Sequence, residues 1–518
     1  MATDSEPPEV LPPVGNEAVA AQVDEAEACI PASTKTFPLA EGMSLSYWLQ
    51  GVRSNPLLDH RSSEEIPAEA DVVIIGSGLT GTLTAYELLK SEKPPGKIVL
   101  LEARELSSGA TGRNAGHCKP DQFRGFSGYQ KQFGTEQALK ILANEQATWK
   151  RLVSFVRAEN VDCDLWVGKT LDVTMSQEIA DKATKSFEDF KAAGGPTGHI
   201  EHITDREEAV KRSRIKSAVS VFAWDASTLY PWKLVAHIMK LNLAMGLNFQ
   251  TWTPATSISE STDKPGQWIV NTDRGSITTP TVVHATNAYA SAILPEFKTF
   301  IRPTPHMCNK VIPPRSWSGL KSLQNSYGVL TPNGSLFSIN PRCTADGIVL
   351  FGGSNPAQHK LMEYINEKPD ERRVDDGLIN FEPVTEAVKE FAEAEFEEWG
   401  NTPGPGQGYD YSWSGIIGNS ADGVPYIGAV PDKPGQWICA GHNGHGMARI
   451  MTAAPGLVKL MQGGSWADTE LPECYEITKE RLTRLQEKME KDGVAGFPRL
   501  AGVKQPETKS TGSGCIVA

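Results

Sequence analysis

The chain has 518 residues, 39% hydrophobic and 22% charged, with 12 tryptophans. That length allows two or three compact units around a sizeable core and excludes wholesale disorder. Against 50 basic side chains stand 63 acidic ones, a net charge of −13 with no basic run, which excludes nucleic acid as a partner.

Residues 1–45 are rich in Pro, Glu, Ala and Val without a sustained period and are expected to form a disordered tail. Met1 to Val14 lacks the basic and apolar regions of a secretory signal. Order is expected from Ser46-Tyr47-Trp48-Leu49 onward. Asp71-Val72-Val73-Ile74-Ile75-Gly76 is a β-branched run bounded by Gly, the pattern of a buried strand. A helix is predicted over Thr80 to Lys90, a turn at Pro94-Pro95-Gly96, and a second buried strand over Lys97 to Glu102. Such a βαβ unit makes its two strands parallel. Glu136 to Glu159 has helical period, with Leu139, Leu142, Trp149, Leu152 and Val156 on its apolar face. Strands are expected at Thr170–Met175, Ser220–Phe222, Phe249–Trp252, Trp268–Asn271 and Thr281–Ala285, and Pro231 opens a helix to about Met245. After a compositional break at Pro303 come strands around Cys308–Ile312 and Ile348–Phe351, then an acidic, partly helical Glu363–Glu398. Residues 435–462 return to strand, Gly-rich loop and helix, with Pro455 expected to kink or shorten that helix. Thr478 to Lys491 reads as a charged terminal helix and 501–518 as a second mobile tail. No run of eighteen apolar residues occurs, so no spanning helix is expected.

Gly76-Ser77-Gly78-Leu79-Thr80-Gly81 has the G-x-G-x-x-G spacing, and its context matters more than the pattern. A buried strand precedes it, a helix follows, and Glu102 ends the next strand. Gly76 then makes the tight turn, Gly78 lets a pyrophosphate approach the backbone, and Gly81 lets helix and strand pack closely. Glu102 can accept hydrogen bonds from ribose hydroxyls. The constellation points to a dinucleotide cofactor. The eight cysteines are scattered and form no CxxC pair, so neither a zinc site nor a disulfide framework is indicated. His442 and His445 lie close together, but no third ligand cluster accompanies them, so no metal is expected.

Ser107-Ser108-Gly109-Ala110-Thr111-Gly112-Arg113-Asn114-Ala115-Gly116 follows the Glu102 strand directly. It resembles the second flavin-binding loop of the D-amino-acid oxidase, glycine oxidase and sarcosine oxidase superfamily, most of all amine oxidases acting on γ-glutamylputrescine. The likeness runs from about residue 46 to 465. Val161-Asp162-Cys163-Asp164, Leu229-Tyr230-Pro231-Trp232-Lys233-Leu234, Thr253-Pro254-Ala255-Thr256 and Val282-Val283-His284-Ala285-Thr286-Asn287-Ala288 look like further family segments. So do Trp413-Ser414-Gly415-Ile416, Ala421-Asp422-Gly423-Val424-Pro425-Tyr426-Ile427-Gly428 and the loop Gly441-His442-Asn443-Gly444-His445-Gly446-Met447.

The resemblance implies FAD as cofactor. Its binding residues would be Gly76, Gly78, Leu79, Thr80, Gly81, Glu102, Ala103 and Arg104 in the first unit, and Thr111, Gly112, Arg113, Asn114, Ala115 and Gly116 in the second loop. Ala255 would hold the adenine, Ala285 and Thr286 would pass under the cofactor, and Gly441, Gly444, His445 and Gly446 would reach the flavin's pyrimidine edge. It also implies an α/β fold in which a Rossmann-type FAD domain, from 46–117, 225–300 and 408–470, interleaves with an antiparallel-sheet substrate domain, from 118–224 and 301–407, followed by a terminal helix within 471–500. The implied activity is oxidation of a C–N bond in a small amine or amino acid, with O2 as acceptor giving hydrogen peroxide. A flavin dehydrogenase, a tailoring oxidase for larger metabolites and a non-catalytic flavoprotein stay open beside it.

Some positions depart from the relatives. Gly415 stands where monomeric sarcosine oxidases link FAD to a cysteine, while His117 and Cys118 remain near the second loop. The strand Gly347-Ile348-Val349-Leu350-Phe351 lacks the lysine that activates oxygen in those enzymes. Arg302, Arg342 and Arg449 are candidates for holding a substrate carboxylate, His445 is a candidate catalytic residue, and Tyr409, Tyr411 and Trp413 form either an aromatic wall or core. Cys515-Ile516-Val517-Ala518 fits C-a-a-X after the spacer Thr511-Gly512-Ser513-Gly514, so prenylation of Cys515 and peripheral membrane attachment are weighed against an otherwise cytoplasmic protein.

Overall fold

A computed structural model of the chain describes residues 37–400 and 403–492. Cys515 and its motif lie outside the described residues.

The four residues Val72–Ile75 are all buried, as are Ile98–Leu101, the mark of strands covered on both faces. They lie at the centre of a six-stranded sheet in the order Tyr426–Ala429, Gln436–Ala440, Thr281–His284, Val72–Ile75, Ile98–Leu101, Asn248–Gln250. Five strands run parallel and Tyr426–Ala429 is the antiparallel edge. The register pairs Ile75 with both Leu101 and His284, and His284 with Ile438. The carboxyl ends of the four inner strands therefore finish side by side, where α/β sheets bind ligands. Helices Leu79–Leu89, Pro231–Ala244 and Ile450–Met461 pack beside one another. A small antiparallel sheet, Ala255–Glu260, Trp268–Thr272 and Gly275–Thr279, adjoins it.

The larger sheet has nine strands, eight in the order Gly408–Ser420, Ile301–Ile312, Val349–Gly352, Leu336–Asn340, Ser326–Leu330, Trp166–Thr174, Ser220–Thr228, His117–Cys118, with Glu201–Ile203 beside Ser220–Thr228. It is antiparallel except where Ser326–Leu330 runs parallel to Trp166–Thr174. The expected break at Pro303 is instead the interior of the strand Ile301–Ile312. Pro303 and Pro305 sit where that strand pairs only with Gly408–Ser420, and pairing with Val349–Gly352 begins later, at Asn309 to Val311. Two missing N–H groups on the unpaired side leave the ladder intact.

Three further expectations change. The long helix begins at Phe126, and left-handed Gly134 (φ 84°) divides it just before the predicted start. The helix Ile450–Met461 runs six residues past Pro455, held by packing against Leu79–Leu89 and Phe126–Ala158. Residues 37–45 belong to the folded body: Ser44 is buried, and its N–H donates to the Asp376 carbonyl at 2.8 Å. Helix Tyr47–Gln50 then starts from Ser46, whose hydroxyl accepts from the Leu49 amide and donates to the Gly112 carbonyl.

Candidate functional site at the strand ends

The first loop is shaped by close backbone approach. Gly76 has φ +105°, and a Cβ there would stand 2.7 Å from the Ala285 carbonyl oxygen. A Cβ on Gly81 would overlap the Gly76 carbonyl oxygen outright. Gly78 caps helix Leu79–Leu89 in extended conformation, and the Leu79 N–H donates to Thr111 Oγ1 at 3.1 Å, joining the first loop to the second. Glu102 accepts from the Ser77 N–H and Oγ (2.9 and 2.6 Å) on one oxygen and from the Arg104 N–H (3.0 Å) on the other. Its carboxylate is thus oriented, with acceptor capacity to spare.

These loops open on a cavity of about 490 Å3 between the two large sheets, within the range of ligand clefts. The cavity brings together Gly76, Gly78, Leu79, Thr80, Glu102, Ala103, Arg104, Thr111, Arg113, Asn114, Ala115, Ala255, Ala285, Thr286, Gly444, His445 and Gly446. It does not include Gly81, Gly112, Gly116 or Gly441. Gly81, Gly112 and Gly116 sit behind the lining, where a Cβ would meet backbone oxygens of Gly76, Ser107 and Leu229. Gly441 donates its N–H to Asn287 Oδ1 at 3.0 Å, which braces the Gly-rich loop.

The arginine candidates are corrected by their partners. Arg342 is buried away from the cavity, ion-paired to Asp164 and Asp346 at 2.9 Å each and placed over the Tyr47 and Trp48 rings. Arg449 is buried against Glu145 at 3.1 Å, also behind the lining. Arg302 stands on its strand opposite Asn419, outside the lining. None of the three lines the cavity where a substrate would lie. Tyr409, Tyr411 and Trp413 do not line the cavity: Trp413 is fully buried and donates Nε1–H to the Arg113 carbonyl, while Tyr409 and Tyr411 are half-buried against the core.

The opposite wall is built by residues the motifs do not mark. Lys119 and Arg124 both ion-pair with buried Asp172, Arg124 at 3.1 Å, and both line the cavity. Gly328 leaves the space that the Lys119–Asp172 pair fills. Trp224 lies beside them, its Nε1–H on the Pro120 carbonyl at 3.0 Å. His117 and His306 complete this side. Burial, with Lys119 nearby, pushes His117 down to about 3, and burial pushes His306 to about 4, so both are neutral imidazoles. Of this wall only His117, noted with Cys118 directly after the second loop, was marked in the sequence. Asp172, Trp224, His306 and Gly328 come from distant strands, which only the sheet register brings together.

The donor set suits FAD. The backbone at Gly76 and Gly78 admits a pyrophosphate, and the helix behind it adds a positive end. Thr286 Oγ1 and Tyr289 OH are buried, line the cavity and have no hydrogen-bond partner among the described residues, which suits them to an external one. Residues 71–460 match the sequence profile described as DAO, FAD dependent oxidoreductase. The chain belongs to this family. FAD is its cofactor. This DAO-family oxidoreductase is 24% identical over 392 residues to "Probable oxidoreductase OrdL" of Rhizobium meliloti, covering 73% of this chain and 80% of that one. It is 25% identical over 407 residues to the γ-glutamylputrescine oxidoreductase of Escherichia coli, covering 76% and 84%. Its fold matches the crystal structure of L-proline dehydrogenase from P. horikoshii with TM-score 0.59 at 17% identity, covering 82% of this chain and 99% of that one.

Proposed function

We propose that the chain oxidises a C–N bond of a small amine or amino acid, with O2 as the terminal acceptor giving hydrogen peroxide. The carrying observation is the cavity's two unlike walls: cofactor loops on one side, and Lys119, Arg124 and Trp224 on the other. The likeness to γ-glutamylputrescine oxidoreductase supports a substrate of that class.

In this reading the FAD domain expected from 46–117, 225–300 and 408–470 gives up its sheet-forming margins, because His117–Cys118, the end of Ser220–Thr228 and all of Gly408–Ser420 are strands of the nine-stranded sheet and join 118–224 and 301–407 in the substrate domain. Gly76, Gly78, Leu79 and Thr80 hold the pyrophosphate, Glu102 the ribose and Ala255 the adenine, while Gly444 to Gly446 lie along the flavin. Bound FAD supplies the two-electron acceptor for the hydrogen on the substrate carbon. The chain's part is to orient and to exclude water. Lys119 and Arg124 offer N–H donors to a substrate carboxylate, Trp224 and Ile417 cover the reacting end, and the turn Gly446–Ala448 brings backbone N–H groups to developing negative charge.

A panel of amines and amino acids added to the holoenzyme without oxygen tests this. Bleaching of the flavin absorbance by one of them is expected, followed by peroxide when oxygen is admitted. Failure of the whole panel refutes the amine reading. Bleaching without peroxide makes the protein a dehydrogenase, the reading favoured by the strand Val349–Gly352, which meets the cavity through Gly352 and carries no lysine.

A further inference from the structure

Glu145 lies within the long helix Phe126–Ala158, 0% exposed and behind the cavity lining. A carboxylate so placed stays charged only if donors surround it. Three converge on it. The Asp121 N–H donates to Oε2 at 2.8 Å, Arg449 Nε to Oε1 at 3.1 Å, and His445 Nδ1 stands 3.4 Å from the same Oε1. Burial raises the Glu145 carboxyl, yet His445 and Arg449 outweigh it and hold the group down at about 2.

The other groups nearby are engaged elsewhere. Tyr129 OH accepts from Arg449 Nη2 at 3.0 Å. The Asp121 carboxylate caps the amides of Phe123, Arg124 and Gly125. The Cys118 thiol donates to the Met447 carbonyl. His442 is buried and neutral, and Tyr475 lies under the Arg449 guanidinium. Arg449 alone balances the charge of Glu145. His445 is therefore not required for neutrality. It is also the member of this cluster whose ring both reaches Glu145 and lines the cavity, with 36% of its side chain exposed.

We propose that Glu145 is a positioning residue for His445: it holds the Nδ1 edge and leaves Nε2 to take a proton from the substrate's ammonium group inside the cavity. The proposal rests on the amine reading above. An ammonium has no lone pair to assist loss of hydride from its carbon, so one proton must leave first. In this step an N–H bond of the ammonium breaks and its electron pair stays on the amine nitrogen. The proton bonds to Nε2, the Nδ1 edge of the resulting imidazolium faces the Glu145 carboxylate beside Arg449, and nothing is oxidised. Fixing the tautomer through the far nitrogen is the established way to aim an imidazole.

The test is nitrogen NMR of the holoenzyme labelled with 15N in its histidine rings, the His445 signals being identified by their loss in His445→Asn. A protonated Nδ1 and a lone-pair Nε2 are expected in the neutral ring. Glu145→Gln should change that signature and slow flavin reduction about tenfold or more, by an amine that bleaches the unsubstituted enzyme. Glu145→Asp should restore part of the rate. A neutral ring protonated on Nε2, or a signature unmoved by Glu145→Gln, overturns the proposal. Should Glu145→Gln not fold, the spectrum of the unsubstituted protein decides alone. Should no amine bleach the flavin, the amine reading falls, while the spectrum still decides whether Glu145 orients His445.

Discussion

An alanine methyl at position 81 would be built into the carbonyl oxygen of Gly76, so helix Leu79–Leu89 would have to retreat from the strand before it. Gly81→Ala should cost about 1–3 kcal/mol, the usual range for overpacking, and should lower both flavin content and thermal midpoint. Ser77→Ala, which creates no overlap but removes a donor to Glu102 and the acceptor of the Ser107 N–H, should do less. Glu145 offers a prediction of a different kind. Its folded-state value, about 2, lies below its ordinary 4.5. A depressed carboxyl contributes stability that is complete above its unfolded value and is lost as pH falls toward the folded one. Stability should therefore fall between pH 4.5 and about 2 in the unsubstituted protein, and more shallowly in Glu145→Gln. Urea midpoints across that range measure it. At this scale the cofactor glycines were legible because each answers a local demand that spacing records: a positive φ or a contact too close for a side chain. Glu145 was not, since a glutamate in a helical pattern reads as a solvated position until the fold buries it.

At the scale of elements, one carboxylate ties three separate stretches together. Asp376 receives Arg104 through both its oxygens, at 3.0 and 2.9 Å, and approaches Arg113 Nε at 3.4 Å. Its backbone carbonyl accepts from Ser44 N–H and Oγ. Arg104 reaches on to the Leu39 carbonyl at 3.3 Å, and Phe37 and Pro38 cover part of the cavity. The segment 37–44 is thus fastened across the cofactor site by the same residues that follow Glu102 and Gly112. Asp376→Ala would strand two buried guanidinium groups, and the cost should be about 3–5 kcal/mol, as for other buried pairs broken on one side. Chemical denaturation checks it. Deleting residues 1–43 removes the Leu39 acceptor and the Phe37–Pro38 cover while leaving Ser44. A hydrogen bond to a charged group contributes about 1.5–3 kcal/mol, so FAD should bind about tenfold more weakly or worse, read from recovery of flavin fluorescence on dilution. None of this was legible beforehand. A Pro-rich stretch without a period reads as a tail, and its order comes from Asp376, more than 330 positions away. The strand–helix–strand unit over 72–101 was legible because its hydrogen bonds and its apolar pattern are local.

The whole molecule closes its cofactor sheet with strands from both ends: Val72–Ile75 pairs with Thr281–His284, and that strand with Gln436–Ala440. The cavity then lies between this sheet and the nine-stranded one, with Gly415, Ile416 and Ile417 of the larger sheet and Gly76 and Thr286, just past strand ends of the smaller, among its walls. Neither sheet can be released without opening the chain's other half, and no continuous segment contains the site. Unfolding should therefore follow one cooperative transition in which flavin release and tryptophan exposure coincide. Trp224 and Trp413 report on the larger sheet and Trp232 on the helix Pro231–Ala244 beneath the smaller one. Because FAD binds the folded form across both sheets, its stabilisation follows RT ln(1 + [FAD]/Kd), about 2.7 kcal/mol at a hundredfold excess over Kd. The thermal midpoint should rise steadily with added FAD, and flavin and tryptophan signals should rise with it together. Separate transitions, with only one moved by FAD, would show two independently folding bodies and would break the argument that the interleaving makes the site.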